Sequence, residues 1–319
     1  METIFVDRRG TDLSINHGRL KIVNPKHTID TSLPLQQMRA LVISCECSLS
    51  ASMLRSLAKY DVALLCLHPN DVEASFINVP NTHGNIQRKL SHYALSQNTQ
   101  YATRLAKLVV RMKVRQQKML LLSRLEQRPE KRTELMRALA QFPNTTNHSL
   151  SSHEIPQLMG VEGAAARAYF GGYRSLFAKS LGFQTRNKRP PKDPVNACLS
   201  LTYTLLYFEA LRSCYSLGLE PMLGFLHQST FNRASLACDL MELGRARADE
   251  WVVSLFNSQT LVPSHFKTTE DKGCMLGKIG RKIFFENLML QLPACRKRLR
   301  RNACWLARFI DAYERGEKV

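Results

Sequence analysis

The sequence predicts an α+β protein, with a small N-terminal β domain followed by a larger, mainly α-helical C-terminal domain. Two observations support this fold class. Up to about residue 80 apolar and polar residues alternate with period two, whereas after about residue 85 apolar residues recur at the three- and four-residue spacing of helices. Pro80 and the turn-forming run NTHGN separate the two patterns, so we place the domains at residues 1–84 and 85–319.

The first 80 residues are predicted to form short strands and one helix. The opening strands are TIFVD, DLSIN and RLKIV, with a hairpin turn at Asn16, His17 and Gly18. Two more β-rich segments, LVISCECSL and DVALLCLHP, flank SASMLRSLAKY, which has the spacing of a short helix between strands. SFINVP is the last strand of this region.

The remaining sequence is predicted to be helical with two interruptions. The stretch from Ile86 to Gln127 contains neither Gly nor Pro and predicts one or two long helices. PNTTNHSLSSHEIPQLMG predicts a mobile connection and RNKRPPKDP a stiffer one, because both combine proline with polar residues. Helical spacing resumes at Val195 and continues to the end.

Charge indicates the class of partner. The 319 residues include 45 Lys and Arg against 26 Asp and Glu, a formal charge of +19, which favours nucleic acid as the partner. A membrane is not favoured, because no apolar stretch approaches the ~18 residues of a spanning helix. Charged residues at the N-terminus replace the apolar run of an export signal, so we expect a cytoplasmic protein.

The nine cysteines show neither zinc-ribbon nor disulfide spacing, and we expect reduced, mostly buried thiols.

Glu162 is the first candidate for chemistry. The small residues of 163–166 follow it, and they allow another helix or a ligand to come close. The alternative role is that of a capping or dipole-stabilising residue near a helix start.

Three further candidates follow in two segments. His227 ends the apolar run PMLGFLH, where the alternative is a core histidine bonded to a backbone carbonyl. Asp239 and Glu242 are three residues apart in a helical pattern, so they share one face, and a cation between them would remove their repulsion. The alternative is a solvated polar face. Carboxylates with one imidazole suit Mn²⁺ or Mg²⁺ rather than a closed structural zinc site.

Four segments resemble, in order and spacing, the motifs of the CRISPR-associated adaptation integrase family, the larger of the two near-universal CRISPR-associated proteins. These segments are VEGAAARAYF, NKRPPKDPVNACLSLTYTLL, GLEPMLGFLH and RASLACDLME. The strand-turn-strand opening and GCMLGKIGRKIFF also resemble parts of that family, so the resemblance covers essentially the whole chain.

The resemblance implies a prokaryotic, metal-dependent DNA endonuclease and integrase. The 3′-hydroxyl of a short captured DNA would attack a phosphodiester at the border of a CRISPR repeat, and water in its place would give hydrolysis. Implied ligands are Glu162, His227 and an acidic residue of the Asp-Leu-x-Glu motif, with Glu242 the first choice and Asp239 beside it. His227 has the alternative role of general acid or base.

The implied partners are double-stranded DNA (prespacer and CRISPR repeat), a second copy of the chain joined through the N-terminal domain, and the small second universal adaptation protein. Basic residues, alternatively a solvated face, concentrate in three places. They are Arg104, Lys107, Arg111, Lys113, Arg115 and Lys118; then Arg186, Lys188, Arg189 and Lys192; and finally Arg296, Lys297, Arg298, Arg300 and Arg301. The predicted DNA contacts are Arg167, Arg186, Lys188, Arg189, Asn196, Arg233, Arg245, Lys278, Arg281 and Lys282.

Several alternatives stay open at this point. Arg189, Asp193 and Asn196 have the alternative role of fixing the turn into the next helix, and Tyr169 and Tyr203 are predicted to be core residues rather than base-stacking ones. A DNA-repair or branched-DNA nuclease could use the same site. A non-catalytic DNA-binding scaffold of the same fold would lack a ligand, and a transposon integrase would carry an extra DNA-binding domain.

Overall fold

A computed structural model describes most of the chain. The described residues are 2–68, 75–79, 85–146, 149–150, 154–187, 190–227, 233–270 and 273–317. The chain divides into two compact units, one of Met1–His83 with Arg281–Leu290 and one of Gly84–Gly280 with Gln291–Val319. A β-rich N-terminal region precedes a helical C-terminal part, which confirms the predicted fold class. Residues 281–290, which the sequence assigned to the C-terminal domain, belong by their contacts to the first unit.

The first unit contains two sheets. Its elements are β1 Glu2–Val6, β2 Asp12–Asn16, β3 Arg19–Asn24, β4 Ile29–Pro34, β5 Met38–Ile43, α1 Ala51–Lys59, β6 Ala63–Cys66 and β7 Phe76–Asn78. One sheet has the order β1-β5-β6-β7, in which β1, β5 and β6 are parallel and β7 is antiparallel to β6. The other is the antiparallel meander β2-β3-β4. The core of the first unit includes the fully buried residues Leu20, Leu41 and Leu64.

The predicted hairpin turn between β2 and β3 is present. His17 and Gly18 both have positive φ, 50° and 70°, as a two-residue hairpin turn requires. A Cβ at residue 18 would also lie 2.7 Å from the Tyr60 hydroxyl oxygen, so both backbone conformation and space favour glycine. The strand β4 was not predicted, because its central residues Asp30, Thr31 and Ser32 are polar and exposed.

The second unit is built mainly of helices. Its elements are α2 Ile86–Gln97, α3 Thr99–Gln127, α4 Arg132–Ala140, α5 Ile155–Tyr173, α6 Pro194–Ser216, α7 Ser235–Asn257, β8 Phe266–Thr269, β9 Gly273–Leu276 and α8 Lys278–Glu314, apart from the residues Arg281–Leu290 of α8, which belong to the first unit. The long helical stretch is two helices, because the Asn98 side chain accepts hydrogen bonds from the Gln100 and Tyr101 amides and starts α3. The hairpin β8-β9 was not predicted.

The connections between helices differ from expectation in one respect. The predicted mobile connection of residues 143–160 includes the first turn and a half of α5, and residues 147–148 and 151–153 of it lie outside the described residues. In the stiffer connection, the Asp193 side chain accepts the Asn196 amide and Pro194 is the first residue of α6.

Helix α7 is the central element of the second unit. It packs against α3 and α6, and 18 of its 23 residues are buried. A solvated polar face on this helix is therefore excluded for Asp239 and Glu242.

Among the described residues no helix is long and apolar enough to cross a membrane. The nine cysteines are free thiols, as expected, but five of them are only half-buried.

Candidate functional site

Three charged side chains from three helices of the second unit meet in one cluster. The Lys113 ammonium of α3 forms ion pairs with Glu162 Oε1 of α5 and, at 2.6 Å, with Glu242 Oε2 of α7. Lys113 and Glu242 are 3% exposed, whereas the Glu162 side chain is 23% exposed. The cluster therefore reaches solvent through Glu162. We call it the carboxylate–lysine cluster.

Lys113 was predicted to belong to a basic surface, and that prediction is wrong. Val110, Val114 and Gln117 are buried on α3 beside it, so Lys113 stands on the inward face of the helix. A sequence signal for this position exists, because the apolar residues Ala106, Val110 and Leu120 lie seven and three residues before and seven residues after Lys113, on the same helical face. The prediction grouped all the basic residues of α3 together and did not consider which face of the helix each one occupies.

Glu242 is ionised despite its burial. Burial alone would raise its pKa, but the adjacent Arg245 and Lys113 cations lower the pKa to about 2. Arg245 Nη1 lies 3.1 Å from Glu242 Oε1. The other oxygen, Oε2, is buried and pairs with the Lys113 ammonium.

Asp239 organises the segment that carries His227. Its Oδ2 accepts the backbone amides of Phe225 and Leu226 at 2.6 and 3.0 Å. Its Oδ1 faces His227 twice, accepting the backbone amide at 3.1 Å and lying 2.6 Å from ring Nδ1. Because a carboxylate can only accept, the proton of a neutral His227 belongs on Nδ1, which leaves the Nε2 lone pair available.

Glycine 224 allows this segment to approach the start of α7. A Cβ at Gly224 would lie 2.6 Å from the His227 carbonyl oxygen and 2.8 Å from the Ser235 carbonyl carbon, both of them backbone atoms. Any larger residue would therefore push apart the loop and the helix that together hold the Asp239 carboxylate against His227.

The four predicted site residues thus form two pairs. Glu162 and Glu242 share the Lys113 ammonium, and His227 and Asp239 share a hydrogen bond. In the part of the chain that the structure describes, no three His, Cys, Asp or Glu side chains are placed to hold a metal ion together. Lys113 lies between the two glutamates and supplies their positive charge.

A second buried polar cluster lies two turns further along α7. Asp249 accepts hydrogen bonds from the Tyr169 hydroxyl, at 2.9 Å, and from the Tyr203 hydroxyl. The Tyr173 hydroxyl donates to the Asp249 carbonyl at 2.9 Å. Burial raises the pKa of Asp249 to about 6, although the two hydroxyls oppose that change. Tyr169 and Tyr203 are therefore core residues, as predicted.

Two arginines connect the clusters. The guanidinium carbons of Arg245 and Arg186 lie 4.6 and 5.3 Å from the Tyr203 ring centroid. Arg186 also donates to Asn196 Oδ1 at 2.9 Å and to Ser200 Oγ at 3.0 Å. Both side chains, predicted as DNA contacts, are engaged in the protein interior.

Asn196 is a structural residue. It is fully buried, accepts the Asn187 amide and donates to Thr185 O and Asp193 Oδ2. The prediction of a DNA contact is wrong here, and the alternative of fixing the turn into α6 is correct. Similarly, Arg296 of the C-terminal basic run binds both oxygens of buried Glu209 at 3.0 Å.

The other predicted DNA contacts differ in exposure. Arg167, Arg233 and Lys278 are exposed in the second unit. In the first unit, Lys282 is exposed and Arg281 half-buried. Lys188 and Arg189 lie outside the described residues. The exposed residues have the accessibility that phosphate contacts require.

Comparison with protein families identifies the chain. Residues 4–289 match the family described as CRISPR associated protein Cas1. The chain belongs to the Cas1 family. This confirms the family inferred from the four motifs. The CRISPR-associated endonuclease Cas1 1 of Thermodesulfovibrio yellowstonii is 34% identical over 287 residues, which are 89% of each chain. A Cas4/Cas1 fusion of Leptospira interrogans is 31% identical over 254 residues, covering 78% of this chain and 46% of the fusion.

Solved structures share the fold of the Cas1 family at low sequence identity. A Cas1 protein from Thermotoga maritima has a TM-score of 0.81 at 20% identity, covering 100% of this chain and 98% of its own. A casposase bound to an integration product has the same score and identity, covering 96% and 91%. A chain of a Cas6-RT-Cas1–Cas2 complex has a TM-score of 0.77 at 18% identity, covering 98% of this chain and 35% of its own. The family and these neighbours support a nuclease or integrase function.

Proposed function

We propose that this chain is a metal-dependent DNA endonuclease and integrase that inserts short DNA into a CRISPR array. One observation carries the proposal. Two carboxylates from different helices, Glu162 and Glu242, already surround a single cation, and Asp239, on the same helix as Glu242, holds His227 with its Nε2 lone pair available.

The donor set fits Mn²⁺ or Mg²⁺. Carboxylate oxygens and one imidazole nitrogen are the ligands these ions accept, and the partner that an ion would have to replace at buried Glu242 Oε2 is the Lys113 ammonium. When bound, the ion would make a hydroxyl or water more acidic and would neutralise charge on the phosphate.

We assign Glu162, Glu242 and His227 as ligands, and Asp239 as the residue that positions His227. Both Asp239 oxygens are used by three backbone amides and the His227 ring, whereas Glu242 Oε2 meets only an ammonium. A carboxylate that fixes the tautomer and orientation of a ligating histidine is a common second layer of a metal site.

The proposed reaction is a phosphodiester exchange. The 3′-oxygen of a short DNA forms a bond to phosphorus at the repeat border, the existing P–O3′ bond of the repeat strand breaks, and the attacking hydroxyl loses its proton. Water in place of the 3′-hydroxyl gives endonuclease cleavage. Instead of ligating the metal, His227 has the alternative role of general base. Its Nε2 would then accept the proton of the attacking hydroxyl or water, because its lone pair faces away from Asp239.

For partners we propose double-stranded DNA, a second copy of this chain and the small second CRISPR adaptation protein. The +19 charge and the exposed residues Arg167, Arg233 and Lys278 support DNA binding. The shared fold with a chain of a Cas6-RT-Cas1–Cas2 complex supports the small partner. The formation of a homodimer is tested directly by sedimentation of the purified chain.

An integration assay tests the proposal. Wild-type protein, the small partner, a short DNA duplex, a supercoiled repeat-bearing plasmid and Mn²⁺ are combined, and joined products are counted for Glu162→Gln and His227→Ala. Both variants are expected to lose joining by more than about 100-fold, because even positioning residues around metal ligands cost 10–100-fold.

The matched control is Glu250→Gln, which neutralises a carboxylate on the same helix α7 that is half-exposed and pairs with Arg124 and Arg247. It is expected to join DNA like wild type. Equal joining by all four proteins would refute the site. A wild type that cuts DNA but never joins it would favour a repair nuclease.

A further inference from the structure

Lys113 holds a position that the proposed mechanism does not use. Its ammonium bridges Glu162 and Glu242, and the residue is 3% exposed in the middle of the 29-residue helix α3. Buried lysines are rare and require charged partners, because desolvation of an ammonium costs several kcal/mol. Lys113 is therefore specific to the carboxylate–lysine cluster rather than part of a general basic face.

Together with Arg245, the carboxylate–lysine cluster has balanced charges without any ion. Glu162 and Glu242 contribute two negative charges, and Lys113 and Arg245 contribute two positive ones. The two cations differ in placement. Arg245 binds the outer oxygen of Glu242, Oε1, and packs over the Tyr203 ring, whereas Lys113 is the cation located between the two glutamates.

The position between the glutamates is the one that a shared divalent cation would need. An ammonium and a metal ion cannot both occupy it, since each would have to lie within contact distance of the same two oxygens. The lysine side chain has four rotatable methylenes, so its ammonium can withdraw while α3 keeps its place.

We propose that Lys113 is a built-in counter-ion of Glu162 and Glu242 that a divalent metal must displace. The inference rests on the proposed metal site. Lys113 keeps the two carboxylates close and paired before the metal arrives, and it lowers metal affinity by competing for the same oxygens. It is a positioning residue for the ligands and sets the metal concentration at which the site fills.

Calorimetric titration of the full chain with Mn²⁺ tests this inference. Lys113→Met removes the ammonium and keeps a long apolar side chain, and it is expected to bind Mn²⁺ about tenfold more tightly, the effect of one neighbouring charge on a charged site. Arg115→Met is the matched control, because it removes an exposed cation from the same helix; its Mn²⁺ affinity is expected to equal that of wild type.

Thermal unfolding of the same proteins gives a second readout. Without metal, Lys113→Met is expected to melt below wild type, because two neighbouring carboxylates lose the cation between them. Saturating Mn²⁺ is expected to raise its melting temperature more than it raises that of wild type, in line with tighter binding to the folded state.

A labelling experiment on the unmodified protein covers the case in which Lys113→Met does not fold. Wild type is acetylated briefly with and without Mn²⁺, and peptides are quantified by mass spectrometry. Lys113 acetylation is expected to rise when metal displaces the ammonium, while Lys118 of the same helix, which lies over the Phe142 ring, serves as the internal reference.

The outcomes separate the two proposals. If wild type binds Mn²⁺ but Lys113→Met binds it no more tightly, or if Lys113 labelling does not respond to metal, the counter-ion inference is wrong and the metal site stands. If neither wild type nor Lys113→Met binds Mn²⁺ or Mg²⁺, the metal site itself is wrong and the inference falls with it.

Discussion

Two of the buried acids of helix α7, Glu242 and Asp249, lie in opposite electrostatic surroundings. They are seven residues apart and so lie on nearly the same side of the helix, and they are 3% and 1% exposed. The pKa of Glu242 is lowered to about 2 and that of Asp249 is raised to about 6. Burial acts on both in the same direction, so it does not explain the difference.

The difference comes from the partners. Glu242 is in direct contact with the Lys113 and Arg245 cations, whereas Asp249 is in contact with the uncharged hydroxyls of Tyr169 and Tyr203. A contacting cation compensates the desolvation of a carboxylate more fully than a hydroxyl does. This contrast supports the proposed role of Glu242 as a metal ligand and a structural role for Asp249 in the core.

The largest expected effect separates the two acids by activity. Glu242→Gln is expected to lose DNA joining by more than about 100-fold, as a ligand should, because even the residues that support ligands cost 10–100-fold. Asp249→Asn is expected to keep most of its activity, since it touches neither Glu162 nor His227. The measurement is the initial rate of joining with Mn²⁺. Similar losses of joining rate in both variants would contradict the assignment of a ligand role to Glu242 and a structural role to Asp249.

The second prediction concerns pH. The folded pKa of Asp249, about 6, lies above its ordinary value of 3.8, so the folded state binds more protons and the stability contributed by this group falls as pH rises through that window. Asp249→Asn removes the titration. Relative to wild type, the variant is expected to gain up to about 3 kcal/mol between pH 4 and pH 7.

Urea unfolding of wild type and Asp249→Asn at several pH values provides this measurement. The difference between the two proteins is the quantity that matters, because all other titrating groups are common to both. A difference that stays constant from pH 4 to pH 7 would mean that Asp249 is already ionised in the folded protein at low pH.

The smallest expected effect distinguishes the tyrosines around Asp249. Tyr203→Phe removes a hydroxyl that donates to the Asp249 carboxylate and is expected to cost about 2 kcal/mol at pH 7, the range for hydrogen bonds to charged groups. Tyr173→Phe removes a hydroxyl that donates to the Asp249 backbone carbonyl, and about 1 kcal/mol is expected. Unfolding free energies in urea give both values, and a larger loss for Tyr173→Phe would contradict the assignment.

The two units also differ in how far the sequence predicted them. In the first unit, period-two patterns predicted every described strand except β4, whose three central residues are polar and exposed. In the second, the helical spacing predicted the long helices, but it did not locate the short hairpin β8-β9, where β8 has three exposed residues in four. Strands that bury little of their surface leave a weak pattern in the sequence.

The sequence singled out four residues of the candidate site, but neither Lys113 nor the arrangement of the site. The motifs around Glu162, His227, Asp239 and Glu242 singled out all four residues, and Asp239 and Glu242 do lie one turn apart on α7. Their spacing could not assign different partners to them. That assignment depends on the segment Phe225–His227, which folds back on Asp239, and on α3, which brings Lys113 to Glu242.

The sequence by itself determined the fold class, the family and the acids and histidine of the site, because these follow from local periodicity and from motifs that are contiguous in the chain. The tertiary structure alone decided which charges neutralise one another. Lys113, Glu162 and Glu242 are 49 or more residues apart along the chain, and an ion pair depends on a distance of a few ångströms in space. Only the packing of α3, α5 and α7 sets that distance.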